Sequence, residues 1–96
     1  MSVVYEWDEE KAKANFKKHK VSFDEASAVF SDGLANLFFD EKHSADEVRE
    51  IIVGYSRANR LLVVSFTERK LGIVRIISAR AANKIERKDH EENQGI

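Results

Sequence analysis

Apolar and polar positions recur along this chain with two different periods, and the change from one to the other divides it. In the first third, Phe23, Ala26, Val29 and Phe30 repeat at helical spacing. Ser22 and Glu25 fit a capping box ahead of them, so a helix is expected over 23–31, closed by Ser31-Asp32-Gly33. Before it, Val3 to Trp7 reads as a short strand. Asp8 is a good N-cap, Glu9 and Glu10 suit the positive end of a helix dipole, and the cations Lys17 to Lys20 suit its carbonyl end, so a first helix should run to about His19.

After Gly33 the pattern becomes extended. Leu34–Asp40, Arg49–Tyr55, Arg60–Glu68 and Gly72–Ser78 predict four strands, with Glu41–Glu47 as a polar connection. The gaps Ser56–Asn59 and Arg69–Gly72 are too short for parallel crossovers and imply antiparallel hairpins. A last helix over Arg80–Glu92 has only Ala81, Ala82 and Ile85 as an apolar stripe, so it packs weakly or against another chain. The expected fold is α+β: two N-terminal helices on a four-stranded antiparallel sheet, with a short extra N-terminal strand and a C-terminal helix. Without proline or a linker tract, residues 1–96 read as one domain.

Closing both hairpins symmetrically would set Tyr55 opposite Arg60, Arg49 opposite Phe66, and Phe66 opposite Arg75. Arg49, Phe66 and Arg75 would then form one row across the sheet, with Glu68 on the same face. Ile52, Leu61, Val63, Val74 and Ile76 would form the platform for the helices. Two cations, a ring and a carboxylate can hold a phosphodiester, stack a base and move a proton. The same residues also have a structural reading, in which Arg75 extends past Phe66 to pair with Glu68.

Charge sharpens this picture. The formal net charge is only −1, but residues 1–48 hold 6 lysines against 11 acids (−5), while residues 49–96 hold 7 arginines and 3 lysines against 6 acids (+4). Every arginine lies in the second half, an asymmetry that points to an anionic partner. Absence of cysteine excludes disulfides, thiolate catalysis and cysteine-based zinc sites, and His19, His43 and His90 lack metal-ligand spacing, so no metal or cofactor is expected. The longest aliphatic run, Leu61 to Val64, is far too short to span a bilayer, and the start MSVVYEWDEE is too acidic for a signal peptide. A cytoplasmic protein without membrane association is expected.

Trp7-Asp8, Lys11, Asn15, Lys18-His19, Val21-Ser22-Phe23, Ala26, Phe30-Ser31-Asp32, a strand ending in Gly54, Arg60 to Val64, Thr67-Glu68-Arg69, and the run Arg75-Ile76-Ile77-Ser78-Ala79-Arg80-Ala81 followed by Glu86-Arg87 together resemble the BrnT family of toxins. The resemblance covers nearly the whole chain, and its most specific part is the Arg75–Ala81 run together with the Lys18–Phe23 segment. Gly33 stands where the family usually has proline, and His90 where a tyrosine commonly closes the last helix.

The resemblance implies a RelE-like toxin of a type II toxin–antitoxin system, a ribonuclease that arrests translation without a metal. The ribose 2′-OH attacks the adjacent phosphate, a base takes its proton, cations stabilise the phosphorane, and an acid assists the departing 5′-oxygen. A BrnA-like antitoxin, a DNA-binding dimer, would mask the toxin, so operator DNA is met only through it. Arg75 and Arg80 are the candidates for transition-state charge, because guanidinium is always cationic and matches phosphate geometry. His19 and Glu68 are the candidates for proton transfer; histidine as a residue type exchanges protons near neutral pH. Lys18, Lys20, Arg49, Phe66 and Arg69 are the candidate RNA contacts. An alternative is a non-catalytic antitoxin-binding or co-repressor module of the same fold, and homodimerisation through the thin last helix is open.

Overall fold

The computed structural model describes residues 3–41 and 47–93. The order of elements is β1 (Val4–Glu6), α1 (Glu9–His19), α2 (Phe23–Ser27) continuing into a 3-10 turn (Ala28–Ser31), β2 (Asn36–Phe39), β3 (Glu50–Tyr55), β4 (Leu61–Lys70), β5 (Ile73–Ala81) and α3 (Lys84–Glu92). The strands form one sheet in the order β1-β5-β4-β3-β2. His43 lies outside the described residues.

The caps form as expected. Asp8 accepts from the backbone N–H groups of Glu10 and Lys11, and Ser22 accepts from that of Glu25. Lys20 ends α1 in the left-handed region at φ 59°, its N–H bonded to the carbonyl of Phe16. The expected all-antiparallel sheet is corrected to a mixed one, because β1 pairs in parallel with the first half of β5. β1 feeds α1, and that helix carries the chain along the sheet before it returns, which is the kind of connection a parallel neighbour requires.

The expected register is also corrected. The β3–β4 turn holds one more residue than symmetric closure assumes. Ser56 N–H bonds the carbonyl of Arg60 while Asn59 sits at φ 62°, the geometry of a three-residue loop with a bulge, so Tyr55 faces Leu61. The β4–β5 hairpin is tighter than expected, with Gly72 at φ 84°, and is bulged at Ser65/Phe66 and at Glu68/Lys70. A one-residue slip exchanges the faces of a strand. Consequently Leu62 and Val64, rather than Leu61 and Val63, sit with Ile52, Val74 and Ile76 in the core beneath Val21, Phe23, Ala26 and Val29 of the helical layer.

Asn15 ties α1 to the sheet. Its Nδ2 donates to the carbonyls of Val21 (3.0 Å) and Ala79 (2.8 Å), and its Oδ1 accepts from Ala79 N–H (3.1 Å). The side chain thereby satisfies both backbone groups of Ala79 on the stretch of β5 that β1 does not cover. Being only 8% exposed, it leaves water no access to those groups.

Candidate nucleic-acid interface

The sheet has two unlike faces. One lies under α1 and α2. The other is only partly roofed by α3, and it is built from alternate residues of each strand: Asn36 and Phe38, Ile51 and Val53, Val63 and Ser65, Ser78 and Arg80. A groove of about 250 Å³ runs between α3 and this face, and a second of about 260 Å³ continues it past Arg80 to Asp40 and Arg49.

Four of the seven arginines stand on this face or at its end: Arg49, Arg69, Arg75 and Arg80. Each is met by a carboxylate. Arg80 donates to both oxygens of Glu86 on α3, at 2.8 and 2.7 Å. Arg75 and Arg69 converge on one oxygen of Glu6, at 3.2 and 3.3 Å. Arg49 lies 3.8 Å from Glu47. Arg80 faces Val63 and Arg75 faces Thr67, so the two guanidinium-bearing residues are four strand positions apart on β4, about 13 Å.

Arg80 belongs to β5 and does not open the last helix, contrary to expectation, because β5 extends to Ala81. Asn83 caps α3 instead, in a reciprocal box with Glu86. Glu86 thus serves the helix cap and the arginine at once. The Arg80 hydrogen bonds, helped by the Asn83 N–H and opposed by burial, hold its carboxyl down to about 2. The guanidinium of Arg80 is correspondingly pushed up by the same pair.

The expected row across the sheet forms with one substitution. Arg49 and Arg75 do share a face, but Thr67 stands between them and Phe66 does not. Arg75 faces Thr67, whose hydroxyl donates to the carbonyl of Val48 at 2.7 Å. Phe66 faces Glu50 and Ile76 and is 5% exposed, edge-on to Phe30 at 4.9 Å. Its expected role as a base-stacking ring is therefore corrected: the ring is a core residue beneath the helices. Glu68 pairs with Val74 on the helix-side face and accepts from Gly72 N–H at 3.2 Å, so it closes a turn rather than facing Arg75.

His19, Lys18 and Lys20 lie at the end of α1, in the helical layer. Among the described residues no hydrogen bond or ion pair joins His19 to Glu68, Arg75 or Arg80. Lys20 places its ammonium 5.9 Å from the Phe16 ring, and its carbonyl accepts from Arg60. Arg60 itself is committed to Glu25, whose carboxyl it holds below the usual range.

Sequence reasoning missed His90. It is 3% exposed, its Nδ1 lies 3.1 Å from Asn36 Nδ2, and its ring meets Tyr55 edge-on at 5.9 Å. It plugs α3 onto the strands, which explains how a helix whose Ile85 points outward stays docked. The departure at this position was the one available signal. Among the described residues no three His, Asp or Glu side chains gather as a metal site would need, and no helix is long and apolar enough to cross a membrane.

Comparison with known proteins gives two findings. The family model described as "Ribonuclease toxin, BrnT, of type II toxin-antitoxin system" matches residues 7–86. The 1.1 Å crystal structure of the Brucella abortus ribonuclease toxin BrnT is similar, with a TM-score of 0.65 and 26% identity, covering 88% of this chain and 99% of that one. No curated protein sequence matches significantly.

Proposed function

The chain belongs to the BrnT family of type II toxin–antitoxin ribonucleases, and from that membership we propose that it cuts RNA on the arginine-bearing face, without a metal, and so arrests translation. The observation that carries this reading is the placement of Arg49, Arg69, Arg75 and Arg80 on the face opposite α1 and α2. A backbone laid across that face meets a cation at each end and a groove between them. Arg80 is the residue proposed to stabilise the phosphorane, because the two-pronged geometry that grips Glu86 is the geometry that grips a phosphate. RNA must therefore compete with Glu86, and binding draws Arg80 from carboxylate to phosphate.

The 2′-oxygen attacks phosphorus, its proton passes to a base, and the 5′-oxygen leaves with a proton from an acid. His19 and Glu68, expected from the sequence to carry these protons, stand at the end of α1 and at the β4–β5 turn, outside the groove, and the proposed site does not use them. The RelE-like label, a cytoplasmic location, and a BrnA-like DNA-binding antitoxin that brings the toxin to its operator belong to the same proposal.

The test is incubation of purified protein with an RNA oligonucleotide in EDTA. The expected result is cleavage that Arg80→Ala lowers by about 100-fold or more, the size typical of losing one transition-state donor. RNA binding without cleavage, by a protein harmless to growing cells, would establish the non-catalytic antitoxin-binding reading instead.

A further inference from the structure

The two edges of the sheet are treated differently. On one side the edge strand is β1, only three residues long, which covers residues 73–75 of β5, while Asn15 satisfies both backbone groups of Ala79. On the other side, no strand among the described residues pairs with the outer edge of β2. Asp40 N–H bonds the carbonyl of Arg49, which fixes the alternation of the β2–β3 ladder. Asn36 and Phe38 turn their backbone groups toward β3, so the N–H and C=O groups of Leu37 and Phe39 point out of the sheet.

Edge strands are ordinarily blunted by lysine, proline or a bulge, and Asn36-Leu37-Phe38-Phe39 has none of these. Three of its four side chains are apolar and open, the exception being Asn36, which is half-buried against His90. Leu37 and Phe39 on the helix side are 60% and 57% exposed, and Phe38 on the α3 side is 52% exposed. Acidic side chains outnumber basic ones around the strand: Asp32 stands before it, Asp40 and Glu41 after it, and Glu50 on its neighbour, with Arg49 as the cation opposite Asp40.

We propose that β2 is the docking edge for the antitoxin, which adds an extended segment as a sixth strand, apolar at alternate positions and flanked by lysine or arginine. This rests on the antitoxin partnership that family membership implies. Outward main-chain groups give such a segment its affinity and the flanking side chains its register. A basic segment meets the acidic surroundings favourably, whereas a second copy of this chain would set two acidic rims together. Leu37 and Phe39 lie on the face away from the arginine groove while Asn36 and Phe38 line it, so a segment docked on this edge stands beside the groove.

The experiment uses the full chain and the antitoxin expressed from the adjoining gene, with residue-resolved amide exchange of the chain alone and in the complex. The Leu37 and Phe39 amides should slow by at least about tenfold in the complex, as newly bonded amides do, while Asn36 and Phe38 change little. Leu37→Pro removes an outward donor without touching the inner ladder, and Phe39→Lys places a charge on the edge. Each should weaken the complex at least about tenfold while leaving the melting temperature within a few degrees and RNA cleavage unchanged.

A complex that forms with the Leu37 and Phe39 amides exchanging as in the free chain would overturn the docking edge and leave the antitoxin partnership standing. Failure of the wild-type chain to bind the antitoxin would overturn the partnership and the proposal with it. Protection of the same two amides in a dimer of this chain alone would assign the edge to self-association and overturn the proposal.

Discussion

Replacing Glu86 by glutamine isolates the link between α3 and the arginine face. The amide oxygen can still accept the Asn83 N–H, so the helix cap survives, but the charged pair with Arg80 is lost. Glu86 is held down to about 2 from an ordinary 4.5. That difference corresponds to an upper limit of about 3 kcal/mol at about 1.4 kcal/mol per pKa unit. Both side chains are partly exposed, Arg80 by 42%, and solvent screening reduces the figure to about 1–2 kcal/mol.

Because the folded-state pKa of Glu86 lies below the unfolded one, this stabilisation is present above about pH 4.5 and is lost as pH falls toward about 2. Urea denaturation of wild type and Glu86→Gln across pH 7 to 2.5 measures it. The variant should be less stable by about 1–2 kcal/mol at neutral pH, about 4–8 °C in melting temperature per kcal/mol. The gap should close on acidification. A gap that is absent at pH 7, or that persists unchanged at pH 2.5, would refute the reasoning. With Arg80 released, the variant should also bind RNA more tightly at low salt.

Other substitutions test other parts of the structure. Asn15→Leu keeps the bulk but orphans Ala79 N–H and C=O, and should cost about 2–4 kcal/mol in chemical denaturation; a neutral result would mean that Asn15 does not seal the β5 edge. Gly54→Val should be harsher than a usual strand change, because a Cβ there already lies 2.8 Å from Ala35 Cβ and 3.0 Å from an Asp32 oxygen, and that carboxylate caps Tyr55 N–H. A fall in melting temperature reports it. Phe66→Ala should unfold the protein by about 3–5 kcal/mol, whereas a surface base-stacking ring would have lost RNA binding with stability intact. His19→Ala and Glu68→Gln should each slow cleavage by less than about tenfold in the same assay that shows Arg80→Ala slower by about 100-fold, since neither lies in the groove.

The chain announced its elements more clearly than their pairing. Asp8, Ser22 and the Lys17–Lys20 run act through neighbours a few residues away, so their caps could be read from spacing alone. The register depended on Asn59 taking a left-handed conformation and on two bulges in the β4–β5 hairpin, which no periodicity encodes. The extra β3–β4 turn residue moved Arg49, and the tighter, bulged β4–β5 turn moved Arg75, from opposite Phe66 to opposite Thr67. The arginines survived that error because Arg49 and Arg75 shifted parity together relative to β4. Glu86 and His90 were only half legible. The Asn83-x-x-Glu86 spacing marks a cap and the departure at His90 marks a position, but the pairs Glu86–Arg80 and His90–Asn36 form only once α3 folds onto the sheet.

The central claim is that RNA lies on the arginine face beside α3. Titrating ¹⁵N-labelled protein with a 2′-deoxy-blocked RNA oligonucleotide, which binds but cannot be cut, tests this most directly. The amides of Ser65, Ser78 and Arg80 and the side chains of Arg49 and Arg75 should shift, with those of α1 left in place. Shifts confined to Lys18, His19 and Lys20 at the end of α1, with the sheet face unperturbed, would contradict it.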